Sequence, residues 1–146
     1  MTGTAILNLQ PAEYARLTGN APFMALVNGV FDSVPQGTQR PYVTLGEATE
    51  IPMREFANDG REVTRTFHIF DQDGAVVGGV AATGNKRGQT ILNSLITVLE
   101  SVPLTVEGFA VVDYVYEFGE PMPAEESDDV VYRHIVARFR ATLEAA

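Results

Sequence analysis

The stretch Gly79-Val-Ala-Ala-Thr-Gly84-Asn85-Lys86 is the nearest the sequence comes to a chemical motif. It follows a strand-like run, precedes a helix-like one and imitates the spacing of a phosphate-binding loop. Such a loop needs Gly, Lys and Ser or Thr in succession, so that backbone N–H groups wrap the phosphates, the lysine reaches them and the hydroxyl holds magnesium. Here Asn85 intervenes and Arg87 stands where the hydroxyl belongs, which leaves a flexible loop with a basic helix start. His68 and His134, the two histidines, fall mid-strand with no Ser, Asp or Glu pattern that reads as a proton relay or metal triad. They are expected to face solvent or a neighbouring subunit. Glu125, Glu126, Asp128 and Asp129 lack the alternating oxygen ligands and turn glycine of a calcium loop and read as a solvated acidic loop. Cysteine is absent, which removes thiolate nucleophiles, disulfides and sulfur-bound zinc or iron. The chain is therefore read as no enzyme, with no catalytic residue, metal ligand or cofactor expected.

A chain of 146 residues, 45% apolar and 20% charged, has the composition of an ordinary globular protein and fills one core, so residues 1–146 are read as one domain. No apolar run approaches the roughly 18 residues of a membrane span, and Met1-Thr2-Gly3-Thr4-Ala5 lacks the features of a signal peptide; no membrane is expected as a partner. Ten Lys and Arg against nineteen Asp and Glu give a formal charge of −9, which repels nucleic-acid phosphates. Tight DNA binding is excluded as an expectation. A wall along which DNA slides remains compatible with that charge, as does plain solubility.

The elements follow from periodicity. Pro11 can open a helix with Tyr14 and Leu17 inward and Gly19 as its stop; Asn20 can cap a second helix over 21–27 that buries Phe23, Leu26 and Val27. A strand is expected over 30–34. Pro35-Gln-Gly-Thr-Gln-Arg-Pro41 is a loop, and Tyr42 to Gly46 alternates as a strand. The run 61–70 alternates more clearly, with Val63, Phe67 and Ile69 opposite Thr64, Thr66 and His68, and the two strands are expected to pair. Between them, 51–60 reads as a long excursion carrying exposed Met53 and Phe56. Ile91, Leu92, Leu95, Ile96 and Leu99 mark the strongest helix, and 109–118 and 130–139 two further strands. This order implies an α+β fold, a mostly antiparallel sheet of about four to five strands with helices on one face. Tyr114, Tyr116 and Phe118 are expected on the uncovered face, which would then need a partner.

The segment Val34-Pro-Gln-Gly-Thr-Gln-Arg-Pro-Tyr-Val-Thr-Leu-Gly-Glu47 resembles the signature of the tail-completion family of tailed bacteriophages, also called tail terminator or head-tail joining proteins. The Tyr14-x-x-Leu17 helix, the entry through Leu26, Val27 and Gly29, the strand from Val63 to Phe70 and the helix from Ile91 to Leu99 follow in family order, so the resemblance runs from about Pro11 to Phe139. It implies a non-catalytic virion protein whose copies form a ring, typically a hexamer, that caps the tail tube, ends its growth and offers the surface on which the head docks. Tail-tube protein and a head-completion or connector protein would be its partners, and DNA would only pass through the lumen. Assembly would take place in the host cytoplasm. What carries over by residue is structural: Pro35, Gly37 and Pro41 shape the loop, and Tyr42, Val43 and Leu45 seat the strand.

From these readings the ring contacts are expected on the excursion, with Met53 and Phe56, and on the last strand, with Tyr132, His134 and Arg138. Two alternatives stay open: a head-completion or connector subunit of a phage or prophage-derived particle, and a small-ligand-binding α+β domain using the loop from Gly79 to Arg87.

Overall fold

Helix α1 (Ala5–Thr18) buries Ala5, Leu9, Glu13 and Leu17, a stripe at four-residue spacing that places one face of the helix on the core. The computed structural model describes residues 3–146; Met1 and Thr2, at the start read above for targeting signals, lie outside it. The helix starts at Ala5 and not at Pro11, which sits in its interior with no N–H to give the preceding turn. Burial of the stripe outweighs that lost bond. Tyr14 lies off the stripe and is 44% exposed, against the expectation that it points inward. Asn20 caps α2 (Ala21–Met24) as expected, its side-chain oxygen accepting from the Phe23 N–H at 2.9 Å. That helix stops at Met24 and not Val27, although Phe23 and Val27 are both buried.

The strands in chain order are β1 (Val30–Phe31), β2 (Tyr42–Met53), β3 (Gly60–Gln72), the short pair β4 (Val76–Val77) and β5 (Val80–Ala81), and, after helix α3 (Lys86–Glu100), β6 (Phe109–Pro121), β7 (Glu125–Ser127) and β8 (Val130–Ala145). Six of them form one sheet in the order β1-β2-β3-β8-β6, with β7 also on β8. Every pairing is antiparallel except β1 with β2. The α+β architecture is the one the sequence implies; the strand expected over 30–34 shrinks to two residues, and the acidic connection supplies β7.

The helices cover one face of the sheet. Phe67 and Phe139 meet edge to face at 5.5 Å beneath Leu9, Leu17, Ile91, Leu95 and Leu99, all fully buried. Two expectations fail here. Ile51 to Met53 continue β2 in register with β3, so the excursion is the end of a long hairpin, and Met53 and Phe56 are half-buried. Tyr114 and Tyr116 lie on the covered face, packed on Phe139. Register irregularities between Val111 and Asp113 and between Tyr116 and Phe118 change the phase of β6, so simple alternation misassigns it.

Inside the core, Glu13 of α1 accepts from Arg65 Nε of β3 at 2.9 Å and from the Tyr114 hydroxyl of β6 at 2.6 Å. Arg65 also donates to the Gly46 carbonyl at 2.8 Å, while its second terminal nitrogen is buried without a partner. Burial, only partly offset by Arg65, pushes the Glu13 carboxyl up to about 6; burial and the Glu13 carboxylate raise the Tyr114 hydroxyl well above its ordinary value. A Glu and an Arg interrupting two apolar stripes thus pin a helix to two strands.

Candidate functional site

Alternation along β3 and β8 directs Thr64, Thr66, His68 and Phe70, and Tyr132, His134, Val136, Arg138 and Arg140, away from the helices. No described helix covers this second face. It is mixed in character, with aromatic rings and imidazoles at one end and two arginines in the middle.

The loop before β2 sets one end of it. Thr38 folds back on the Pro35 carbonyl through both its N–H, 3.2 Å, and its hydroxyl, 2.6 Å, with Gly37 at φ +85° between them. The Arg40–Pro41 peptide is cis, and Pro41 is buried. Asn28 holds the exit: its N–H donates to the Pro41 carbonyl at 2.8 Å and its side-chain amide to the carbonyls of Gln39, Arg40 and Val76. Val43 and Leu45 then enter the core, while Tyr42 turns to the second face. Pro35, Gly37 and Pro41 lie in this loop, and Tyr42, Val43 and Leu45 in the first residues of β2.

Arg40, placed by this loop, lies over the rings of Tyr132, Phe70 and Tyr42 at 4.8, 5.3 and 5.9 Å. Phe70 stacks on His134 at 4.5 Å, and His134 Nε2 sits 2.7 Å from His68 Nδ1. His68 Nε2 in turn reaches Glu47 Oε1 at 2.6 Å. The histidines thus belong to a Glu47–His68–His134 chain that no pattern in the sequence marks, on the face turned away from the helices. Burial first, then the positive groups His68 and Arg40, hold His134 below the ordinary imidazole value; the hydrogen bond from His68 lowers the Glu47 carboxyl. Both His68 nitrogens are engaged, and no group of three or more His, Cys, Asp or Glu is arranged to hold a metal among the described residues. Beside this cluster the turn from Met122 to Ser127 walls a cleft of about 730 Å³.

The sheet's edges are poor templates for another strand. β6 carries its two irregularities, the carboxylates Asp113, Glu117 and Glu120, and Pro121, and Glu100 of α3 accepts from the Tyr116 N–H. β2 is broken in register between Leu45 and Ala48 and carries Pro52. Bulges, charges and prolines at edges disfavour strand addition.

In the loop from Gly79 to Arg87 the basic side chain of Arg87 is already engaged. The loop's two glycines belong to the β4–β5 hairpin and the turn after it, and Arg87 is spent holding that hairpin through Asp71, at 2.7 and 3.1 Å, and the Ala75 carbonyl, at 2.8 Å. Of the expected contact residues, Tyr132, His134 and Arg138 share the second face; Met53 and Phe56 sit at the far hairpin end beside Arg54 and Asp59. Sequence reasoning missed Arg40, Glu47, Phe70 and Arg140. Arg40 was legible as the one cation inside the proline-glycine loop; the others become neighbours only through strand register.

The family model for "Tail completion protein gp17" matches residues 12–144. Among curated proteins none matches. Of solved structures, a chain from the virion of the native gene transfer agent particle superposes with a TM-score of 0.79 at 19% identity, over 99% of this chain and 100% of its own. The gp17 protein of bacteriophage SPP1 superposes with a TM-score of 0.60 at 25% identity, over 94% of this chain and 90% of its own.

Proposed function

Because the chain belongs to the tail completion protein gp17 family, a family of structural phage-tail proteins, we propose that its copies form a ring that caps the tail tube, ends tube growth and presents the surface on which the head docks. The observation that carries this reading is the second face of the sheet, left bare by the helices while both edges are blunted. A protein built to meet copies of itself through faces needs two different patches per copy, since a cyclic assembly uses a heterologous contact. Tyr132, His134 and Arg138 supply one patch; Met53 and Phe56, at the hairpin end, contact the tail tube or the next copy. The tail-tube protein and a head-completion or connector protein are the partners on the two sides of the ring, probed separately by binding. DNA passes through the lumen without being held, consistent with the formal charge of −9.

The test is electron microscopy of the purified protein, alone and mixed with tail-tube protein. Closed rings, seated on tube ends in the mixture, are expected. A particle that stays monomeric at every concentration and binds no tube contradicts the reading.

A further inference from the structure

The second face carries two guanidinium groups that share a single carboxylate, Glu117. The side chains of Arg138 and Arg140 make no hydrogen bond among the described residues, and Arg140 Nε is buried without an acceptor. Their nearest carboxylate is a shared one, Glu117, at 3.7 and 3.5 Å, beyond the distance of a charge-assisted hydrogen bond. Arg138 rests on the Phe118 ring at 5.2 Å, which fixes one side of its fork and leaves the donors outward. By contrast Arg61, Arg65, Arg87 and Arg133 each grip a carboxylate at 2.6–2.9 Å.

At the start of β8 stands the opposite arrangement. The β7–β8 hairpin presents Glu125, Glu126, Asp128 and Asp129, all exposed and without an ion pair among the described residues. Glu125, the nearest of these carboxylates, stands opposite Tyr132, six residues from Arg138, roughly 20 Å at the rise of an extended chain and about two and a half screening lengths at physiological salt. Within a chain the two patches cannot meet. Between chains they can.

We propose that the acidic β7–β8 hairpin of one copy docks on the Arg138–Arg140 patch of the next, so that each copy gives one carboxylate cluster and receives one. This rests on the ring reading and names the contact that closes the ring. The contact is heterologous, as a closed cycle requires. A second copy is favoured over a DNA phosphate as the occupant because it brings the carboxylates with it, whereas the chain's overall charge of −9 opposes a polyanion.

The experiment uses the full chain in three forms, with ring formation read by light scattering and native mass spectrometry and folding by circular dichroism. The face variant is Arg138→Glu with Arg140→Glu. The hairpin variant is Glu125→Lys and Glu126→Lys with Asp128→Asn and Asp129→Asn, asparagine being tolerant of the positive φ of 52° and 63° at those two positions. The third form combines both sets. Each of the first two is expected to lower the ring population at least about tenfold. Rings return in the combined form, and also when the first two are mixed, because alternating copies then match; the restored rings serve as the folding control. Face and hairpin variants that form rings as readily as the wild type overturn the docking and leave the ring reading standing. A wild type that forms no ring, alone or on tail tubes, removes the ring reading and the docking with it. Binding of a DNA duplex that the face variant loses, with ring formation unchanged, assigns the patch to phosphate and overturns the proposal.

Discussion

His68 Nδ1 and His134 Nε2 lie 2.7 Å apart, joining the two central strands on the face that the helices leave bare. One nitrogen must donate and the other accept, so the contact survives one added proton and not two. With Glu47 on the far nitrogen of His68, the chain of three holds at most one positive charge against one negative.

His134 is therefore expected to titrate below the free-imidazole 6.5. A lowered value means the fold favours the neutral ring: that contribution is complete above 6.5 and is lost as pH falls through the lowered value. Glu47→Gln removes a carboxylate that favours the charged ring and should push His134 lower still. Proton NMR of the imidazole signals checks both; a His134 value at or above 6.5 in the wild type contradicts them.

Glu13 has the opposite sign. Its carboxyl is raised from 4.5 to about 6, chiefly by burial, so the fold favours the protonated form. The contribution is fully present below 4.5 and lost as pH rises through about 6, a change of about 2 kcal/mol. Relative to Glu13→Gln, which cannot titrate, the wild type should gain about that much between pH 7 and pH 4.5. Urea unfolding of both at the two pH values reads it, and parallel curves would refute it.

Removing one partner of the Glu13–Arg65 pair leaves the other charge buried and uncompensated. Glu13→Leu or Arg65→Met alone should cost about 3–5 kcal/mol. The double substitution should cost clearly less than the sum, since neither charge remains. Additive losses would show that the 2.9 Å contact carries no coupling.

Gly46 owes its place to a close approach. A Cβ there would stand 2.6 Å from the His68 ring and 2.8 Å from the Thr66 carbonyl oxygen. Because backbone cannot yield as a side-chain end can, Gly46→Ala should cost about 1–3 kcal/mol and separate His68 from Glu47. Thermal unfolding and the His68 NMR signal report the two effects; an unchanged melting point and spectrum contradict them.

The large features were readable because burial imposes a period. Val63, Phe67 and Ile69 alternate and Ile91 to Leu99 repeat at helical spacing, and both elements lie where that reading puts them. Asn20 was readable because a cap needs a short polar side chain at a fixed offset. Tyr114 and Tyr116 were not, since two bulges shift the phase of β6 and leave no mark in residue type. Nor was the Glu47–His68–His134 chain: His68 stands opposite Val136 and Phe70 opposite His134, a diagonal that exists only once the register of β3 on β8 is known. The buried Glu13–Arg65 pair left a trace, one charge inside each of two apolar stripes, that could have been read as a matched pair.

Electron microscopy of particles assembled without this protein tests the terminator role most directly. Tails of excess length, or tails without heads, are the predicted result. Virions with tails of normal length joined to filled heads would contradict it.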